Sequence, residues 1–335
     1  MTSIHKTIEE TFSKKNVVII GDLVSDQFLN GTISRVSREA PVFILRHDHT
    51  QTLPGAAANA AVNIASLGGQ TTLIGLAGTD SNGEFLIASL TDAGINSANV
   101  VVDAAVTTTT KVRVLAGQHY AARQQVIRID YEAVNGVTEE LKQQLRDNLA
   151  SAAKTADAII VSDYNYGAVF PEIFADALAI AQDKGIPLVV DSRFGLADLK
   201  DATSATPNRD EVEHILGANF TSDDCEKLRE RLGLESLLVT NGNKGMLLFE
   251  KGTTPLQIDA IGSAEPVDVT GAGDTVIAAY TLGLASGFTY AEAAKIANHA
   301  GGIVVMKKGT ASVTMSELLA SIDQHEDPGA ADHAG

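Results

Sequence analysis

A single cysteine, Cys225, leaves this chain no way to form an internal disulfide, and no Cys/His cluster has the spacing of a zinc site. A reducing compartment is therefore expected, and the cytoplasm is the natural one. Nothing approaches the roughly 18 consecutive apolar residues of a membrane span. The opening "MTSIHKTIEETFSKKNVVIIGD" has only a four-residue apolar run before a charged turn, too short for a signal-peptide core. The expectation is a chain neither exported nor membrane-spanning. Cations are scarce as well: 25 Lys and Arg against 42 Asp and Glu give a net charge of −17. That balance argues against sequence-independent nucleic-acid binding and against an anionic membrane surface. Any phosphate must be held by local groups. Prolines number only 8 in 335 residues, with 29 glycines and 44% hydrophobic residues. A compact protein with one large α/β domain or two small ones fits that composition.

Strand-like runs rich in β-branched residues recur at 16–22, 71–78, 158–164, 187–193 and 236–242. Alanine-rich helical stretches lie between most of them, at 56–67, 84–93, 139–153, 171–184 and 224–233. Continuous apolar strands alternating with helices predict a mainly parallel sheet covered on both faces, with ligands at the carboxyl edge of the strands. Segments 28–52 and 107–130 break the rhythm with threonines, alternating apolar residues and arginines, and with turns expected at Asn30-Gly31 and Ala116-Gly117. They read as antiparallel strands standing off the main sheet, either a lid or an edge hairpin without catalytic duty. A single domain is expected over 1–322, followed by a polar, disordered tail from Asp323 to Gly335.

The stretch "DVTGAGDTV" (268–276) sets a glycine turn before an apolar helical run. Bare N–H groups at the positive end of a helix make an anion site, and Asp274 in the first turn is placed to take a proton from a hydroxyl attacking phosphorus. It is equally placed to do no more than complement the helix dipole. Gly271-x-Gly273 mimics part of a dinucleotide fingerprint, but Val276 occupies the third glycine position. In "PGAAANAAVNIASLGG" (54–69), Gly55 opens a small-residue helix with Asn59 and Asn63 on one face. That helix either admits a ligand or packs tightly with its asparagines satisfied internally. Asn208 and Glu211 in "ATPNRDEVEHILG" could hold Mg²⁺-bound water or form an ordinary cap, and Asp22 could grip hydroxyls or cap the next turn.

Taken in order, Gly21-Asp22, Gly55 to Asn59, "GTDSNG" (78–83), "TPNRDE" (206–211), "VTNGNKG" (239–245) and "DVTGAGD" (268–274) resemble the PfkB carbohydrate kinases of the ribokinase fold, over about residues 16–318. The resemblance implies a three-layer α/β/α domain with a small β-strand lid and transfer of phosphate from ATP·Mg²⁺ to a sugar. It implies Asp274 as base, and the amides of Gly271, Ala272 and Gly273 as anion hole. Thr240, Gly242, Gly245 and Asn298 would lie near adenine, Asn208 and Glu211 by the metal's water, and Asp22, Gly55 and Asn59 on the sugar. Monovalent-cation dependence stays open. Lid strands in such kinases often pair between subunits, so a homodimer through 28–52 and 107–130 is expected.

Within that family the stretches 31–45, 108–118, 124–132, 161–169 and 309–318 are most similar to kinases of D-glycero-D-manno-heptose 7-phosphate, which serve heptose synthesis for surface glycans. A nucleotidyltransferase fused in some relatives would need well over a hundred further residues, so a kinase alone is expected. Arg35, Arg38, Lys111, Arg113 and Arg128 in the lid, with Arg193, are the candidate cations for the distal phosphate; solvated surface charge is the alternative for each. The chain departs from the family where two glycines are usual and it has Gly55-Ala56, and where Lys is usual in "DYxKG" and it has Tyr166. It also has "DSRFG" in place of "DPKG". These departures bear on the sugar, so a kinase for fructose 6-phosphate, ribose or a nucleoside and a non-catalytic sugar- or nucleotide-binding regulator are the rivals. His47 and His49 share a strand face but have no third metal ligand, and Cys225 sits among acids unsuited to a reactive thiolate.

Overall fold

The computed structural model describes residues 3–117, 123–132, 136–263 and 265–326. Its strands are β1 (Asn16–Gly21), β2 (Leu23–Val36), β3 (Phe43–Ala56), β4 (Gln70–Gly78), β5 (Val100–Asp103), β6 (Thr110–Gly117), β7 (Gln124–Tyr131), β8 (Ala158–Asp163), β9 (Leu188–Ser192), β10 (Ser204–Ala205), β11 (Ser236–Thr240), β12 (Met246–Glu250) and β13 (Leu256–Ile258). Nine of them, among the described residues, form one sheet in the order β13-β12-β11-β10-β9-β8-β1-β4-β5. From β11 to β5 the neighbours run parallel. The strands β12 and β13 add an antiparallel edge. The chain places β4 and β5 on one side of β1 and then β8 to β11 on the other. The order reverses at β1, and a crevice opens outside the carboxyl ends there.

Two apolar layers cover the sheet, and β1 shows why. Successive side chains of a strand point to opposite faces. Val17 and Ile19 accordingly join Ala58, Ile64, Ile277 and Ile296 in one core, while Val18 and Ile20 join Leu145, Leu149, Ile173 and Leu228 in the other. The first core holds the helices Ala57–Ser66, Ala272–Ala285 and Tyr290–Val304, and the second holds Glu139–Ala152 and Pro171–Lys184. The last of these starts on Pro171 and stops at Gly185 with φ +62°, the asymmetry that proline and glycine impose on helix ends. Small residues let the first layer pack closely: a methyl group at Gly283 would come within 3.1 Å of the Ala293 Cβ. Among the described residues no helix is long and apolar enough to cross a membrane.

The remaining strands form a second sheet, β3-β2-β6-β7. It occupies more of the chain than 28–52 and 107–130, since β2 begins at Leu23 and β3 runs to Ala56. Its hairpins β2–β3 and β6–β7 are antiparallel, but β2 pairs with β6 in parallel, so the sheet is mixed. Asn30-Gly31 lies inside β2, where the register shifts past Asp48 of β3, and is not the expected turn; the chain reverses between Val36 and Phe43. At Gly31 the partner strand lies so close that a Cβ would meet the Arg46 carbonyl at 3.1 Å, which accounts for the glycine without any change of direction. Gly117 ends β6, and the segment 118–122 that follows Ala116-Gly117 lies outside the described residues.

The expected disorder from Asp323 also needs correction. Residues 323–326 continue the Met315–Glu326 helix, because Asp323 accepts a hydrogen bond from His5 Nδ1 at 3.0 Å that pins the helix end. Residues 327–335 lie outside the described set.

Candidate active site

The loop after β13 ends in a glycine turn at the start of the Ala272–Ala285 helix. Gly271 takes a left-handed conformation, φ +78°, and a Cβ there would strike Asn59 Nδ2 at 2.5 Å, so only glycine fits. Asp268 holds the turn, accepting from Thr270 N at 3.0 Å and from Gly309 N at 2.9 Å. The N–H groups of Gly271, Gly273 and Asp274 have no acceptor among the described residues, whereas Ala272 N donates to the Val269 carbonyl at 3.2 Å. The open amides are thus Gly271, Gly273 and Asp274, in place of the expected Gly271, Ala272 and Gly273, because the helix's preceding turn closes on Ala272. A Cβ at Gly273 would meet nothing within 4 Å, so there is open space beside this residue, and unbonded N–H groups at a helix start are suited to an anion.

Asp274 lies in the first turn of that helix with 4% of its surface exposed. Asn59 Nδ2 donates to one carboxylate oxygen at 2.9 Å and the Tyr164 hydroxyl to the other at 2.8 Å. Burial pushes its pKa up to about 7, against the two hydrogen bonds and Lys111, which pull it down; Asp26 adds to the rise. A carboxylate poised near neutrality is suited to accept a proton and release it. Asn59 and Asn63 do share a helix face, and Asn63 Nδ2 bonds Asn59 Oδ1 at 3.2 Å. Asn59 was expected on the sugar. It is 2% exposed and spends its amide on Asp274 and on the Gly271 carbonyl, so it positions the Asp274 carboxylate.

Asp22 also departs from its expected place on the sugar. It is 2% exposed, and its oxygens accept from the backbone N–H groups of Tyr164, Tyr166 and Ala168 at 2.8, 3.0 and 2.9 Å. Burial raises its pKa, opposed by these three bonds. It anchors the 164–168 turn, in which Asn165 and Gly167 take positive φ, and so aims Tyr164 at Asp274. The carboxylate that does stand near Asp274 is Asp26 on β2. It is bound to Arg113 and accepts from Thr310 Oγ1 at 3.1 Å. Gly55 lies against it: a Cβ at Gly55 would come within 2.4 Å of Asp26 Oδ2. Sequence reasoning missed Asp26 and Tyr164. The signals were present as a second acid four residues after Asp22 in an apolar strand, and as the first of the two tyrosines of "SDYNYG".

Thr240, Gly242, Gly245 and Asn298 come together, as expected, in one largely apolar cleft with Met246, Val276, Gly301 and Gly302. Ala272 and Gly273 also line it, so the cleft borders the glycine turn. Asn298 is held by a bond to the Asp259 carbonyl at 2.8 Å. Asn208 and Glu211 form a reciprocal cap: Glu211 N donates to Asn208 Oδ1 at 3.0 Å, and Asn208 N to Glu211 Oε2 at 2.8 Å. Burial raises the Glu211 carboxyl. Asp191 at the end of β9 is pushed well above the usual carboxylate range by burial and then by Glu211, Asp274 and Asp163. These acids line the carboxyl edge, yet no group of three His, Cys, Asp or Glu among the described residues could hold a metal ion. His47 bonds Thr50 instead, and burial holds the Cys225 thiol near 11.

The candidate cations separate. Arg35 is exposed at the far end of β2, nine residues beyond Asp26, and at about 3.3 Å per residue that is roughly 30 Å away; it does not reach the site. Arg113 is committed to Asp26 and stacks over Phe28. Arg128 is bonded to Asp130 at 2.8 and 2.9 Å, and together with Arg193, Tyr164 and Tyr166 it lines a second cleft.

The description "pfkB family carbohydrate kinase" matches residues 14–317. Among curated relatives, the bifunctional protein HldE of Pelobacter propionicus is 35% identical over 95% of this chain and 66% of its own length. That of Shewanella piezotolerans is 38% identical over 94% and 65%. This chain thus spans slightly less than two thirds of these relatives. Among solved structures, the ribokinase of Arabidopsis thaliana complexed with ribose and ATP superposes with a TM-score of 0.71 at 22% identity, over 92% of this chain and 98% of that one. The phosphofructokinase-2 of Escherichia coli with substrates and products gives 0.75 at 20%, over 92% and 98%. The fold is ribokinase-like.

Proposed function

Since the chain belongs to the pfkB family of carbohydrate kinases, we propose that its acceptor is D-glycero-D-manno-heptose 7-phosphate, phosphorylated by ATP at the anomeric hydroxyl to give the 1,7-bisphosphate. The observation that carries the chemistry is Asp274, buried, raised to about 7 and set beside free amides at a helix start. The acceptor rests on the motif stretches 31–45, 124–132 and 161–169 and on the 35–38% identity to HldE proteins.

In this reading adenine occupies the cleft of Thr240, Gly245 and Asn298, and the γ-phosphoryl group meets the amides of Gly271, Gly273 and Asp274. The sugar oxygen forms its bond to phosphorus as the bond to the ADP oxygen breaks, and Asp274 takes the hydroxyl proton. Tyr164 and Asn59 keep the carboxylate aimed. With no protein cage for a metal among the described residues, Mg²⁺ is assigned to the substrate ATP·Mg²⁺. Glu211 fits its water shell, having one oxygen committed to Asn208 N and the other without a hydrogen bond among the described residues. A cytoplasmic location goes with this reading.

The second sheet presents Val36, Phe43, Ile127 and Tyr131 with more than half of each surface exposed. We assign it two roles, a lid over the sugar and the pairing surface of a homodimer. Light scattering at micromolar concentration is expected to give twice 35.0 kDa; a monomer mass would refute the dimer. The acceptor is tested by coupled ADP release from ATP·Mg²⁺, with and without K⁺, on the heptose 7-phosphate, the unphosphorylated heptose, fructose 6-phosphate, ribose and adenosine. Turnover confined to the heptose phosphate is expected, and preference for any other member overturns the assignment.

A further inference from the structure

Lys111 on β6 is 7% exposed, and its ammonium has neither an ion pair nor a hydrogen bond among the described residues. Burying a charge in that condition is costly, so a chain retains it only where something else supplies the partner. Carboxylates are close, but each is engaged elsewhere: Asp26 with Arg113 and Thr310, Asp130, opposite Lys111 on β7, with Arg128, and Asp274 with Asn59 and Tyr164. What Lys111 does have is two aromatic faces, since its Nζ stands 5.4 Å from the ring centres of both Tyr164 and Tyr166. Both rings line the cleft that also holds Arg128 and Arg193.

The strand register adds a second observation. Arg113 on β6 lies directly opposite Arg128 on β7, a like-charge pair that sheets normally avoid. Burial, and then Arg193, Arg113 and Arg128, push the Lys111 pKa down against the attraction of Asp26. Of these four cations, Arg113 is paired with Asp26 and Arg128 with Asp130, whereas Lys111 and Arg193 have no ion pair among the described residues. Arg128 and Arg193 line the cleft and Lys111 lies against two of its tyrosines, so an anion entering there would meet uncompensated positive charge.

We propose that Lys111, held against Tyr164 and Tyr166, pairs with the phosphate that the sugar already carries and so selects phosphorylated over neutral sugars, with Arg128 and Arg193 flanking it. The proposal rests on the sugar-phosphate acceptor assigned above and adds the residue that recognises it. Tyr166 then has a use of its own as half of the lysine's aromatic seat.

The test compares wild type, Lys111→Gln and Lys111→Arg on the heptose 7-phosphate and on the unphosphorylated heptose. The glutamine variant is expected to lose about 30-fold or more in kcat/KM for the phosphate ester through KM. Its KM for ATP stays as in wild type, as does its turnover of neutral heptose when assayed well above pH 7, where Asp274 is ionised with or without the Lys111 charge beside it, and arginine recovers part of the loss. Its thermal midpoint is expected to equal or exceed that of wild type, because the substitution removes an unpaired buried charge, whereas a structural lysine would show a lower one. Unchanged selectivity, or a loss confined to kcat or to the KM for ATP, overturns the proposal. A wild type that prefers neutral sugars rejects the acceptor assignment itself, and with it the lysine's role. Normal preference in wild type with an indifferent glutamine variant rejects only the lysine.

Discussion

Asp274 and the strand β7 handle charge in opposite ways. At the carboxyl edge of the nine-stranded sheet Asp274 is buried, and each of its oxygens is held by a donor that is itself fixed, Asn59 by Asn63 and Tyr164 by the turn that Asp22 anchors. On the four-stranded sheet β7 is exposed along its whole length, and Arg128 leans on Asp130, two residues away on the same strand. Reaction chemistry needs a group whose pKa and direction are set before the substrate arrives, and only a packed scaffold provides that. Recognition of a charged sugar can use groups that adjust on closure.

The largest expected effect falls on the first sheet. Asp274→Asn should lower turnover by ~10²–10⁴ with ATP binding retained. The same variant should be more stable than wild type at pH 8. A carboxyl raised from 3.8 to about 7 is disfavoured in its charged form, so its cost is absent below pH 4, grows as pH rises to 7 and then levels. Removing the charge returns up to about 4 kcal/mol, less whatever the new amide nitrogen costs by facing one of the two donors. Denaturant unfolding at pH 8 checks the sign. An inactive and destabilised variant would mean that Asp274 is structural.

Where the sheets meet, a smaller effect is expected. Ala56 joins β3 to the Ala57–Ser66 helix with φ +56° and ψ −132°, a conformation that suits glycine. Ala56→Gly should relieve strain of roughly 1–3 kcal/mol, offset by the ~0.4–1 kcal/mol that glycine's freer unfolded chain costs. A modest rise in unfolding midpoint is the expected result, and a fall would show that the junction is unstrained.

Much of this was legible in the sequence, for identifiable reasons. The strands 16–22 and 236–242 and the helices between them announced themselves because burial on both faces demands unbroken apolar runs. The residues of the cleft around Thr240, Gly245 and Asn298 followed from motifs whose glycines are forced by geometry, as at Gly245, where a Cβ would lie 2.0 Å from the Ile258 carbonyl. The assignments of Asp22 and Asn59 went astray because a buried polar side chain can bond protein or ligand, and spacing does not tell which. Asn30-Gly31 resembled a turn because a glycine required by the close approach of a partner strand reads in sequence like one required by a turn. Arg35 was misplaced because sequence gives a strand's face but not how far it runs from the site.

The most direct test of the account is the acid limb of kcat/KM against pH in wild type and in Asn59→Ala. Asn59's hydrogen bond holds the Asp274 pKa down. The account predicts that kcat/KM falls below about pH 7 in wild type, and that the limb moves to higher pH in the variant as the base becomes harder to ionise. A limb at the same pH in both proteins would place the titrating group on the substrate and contradict Asp274 as the base.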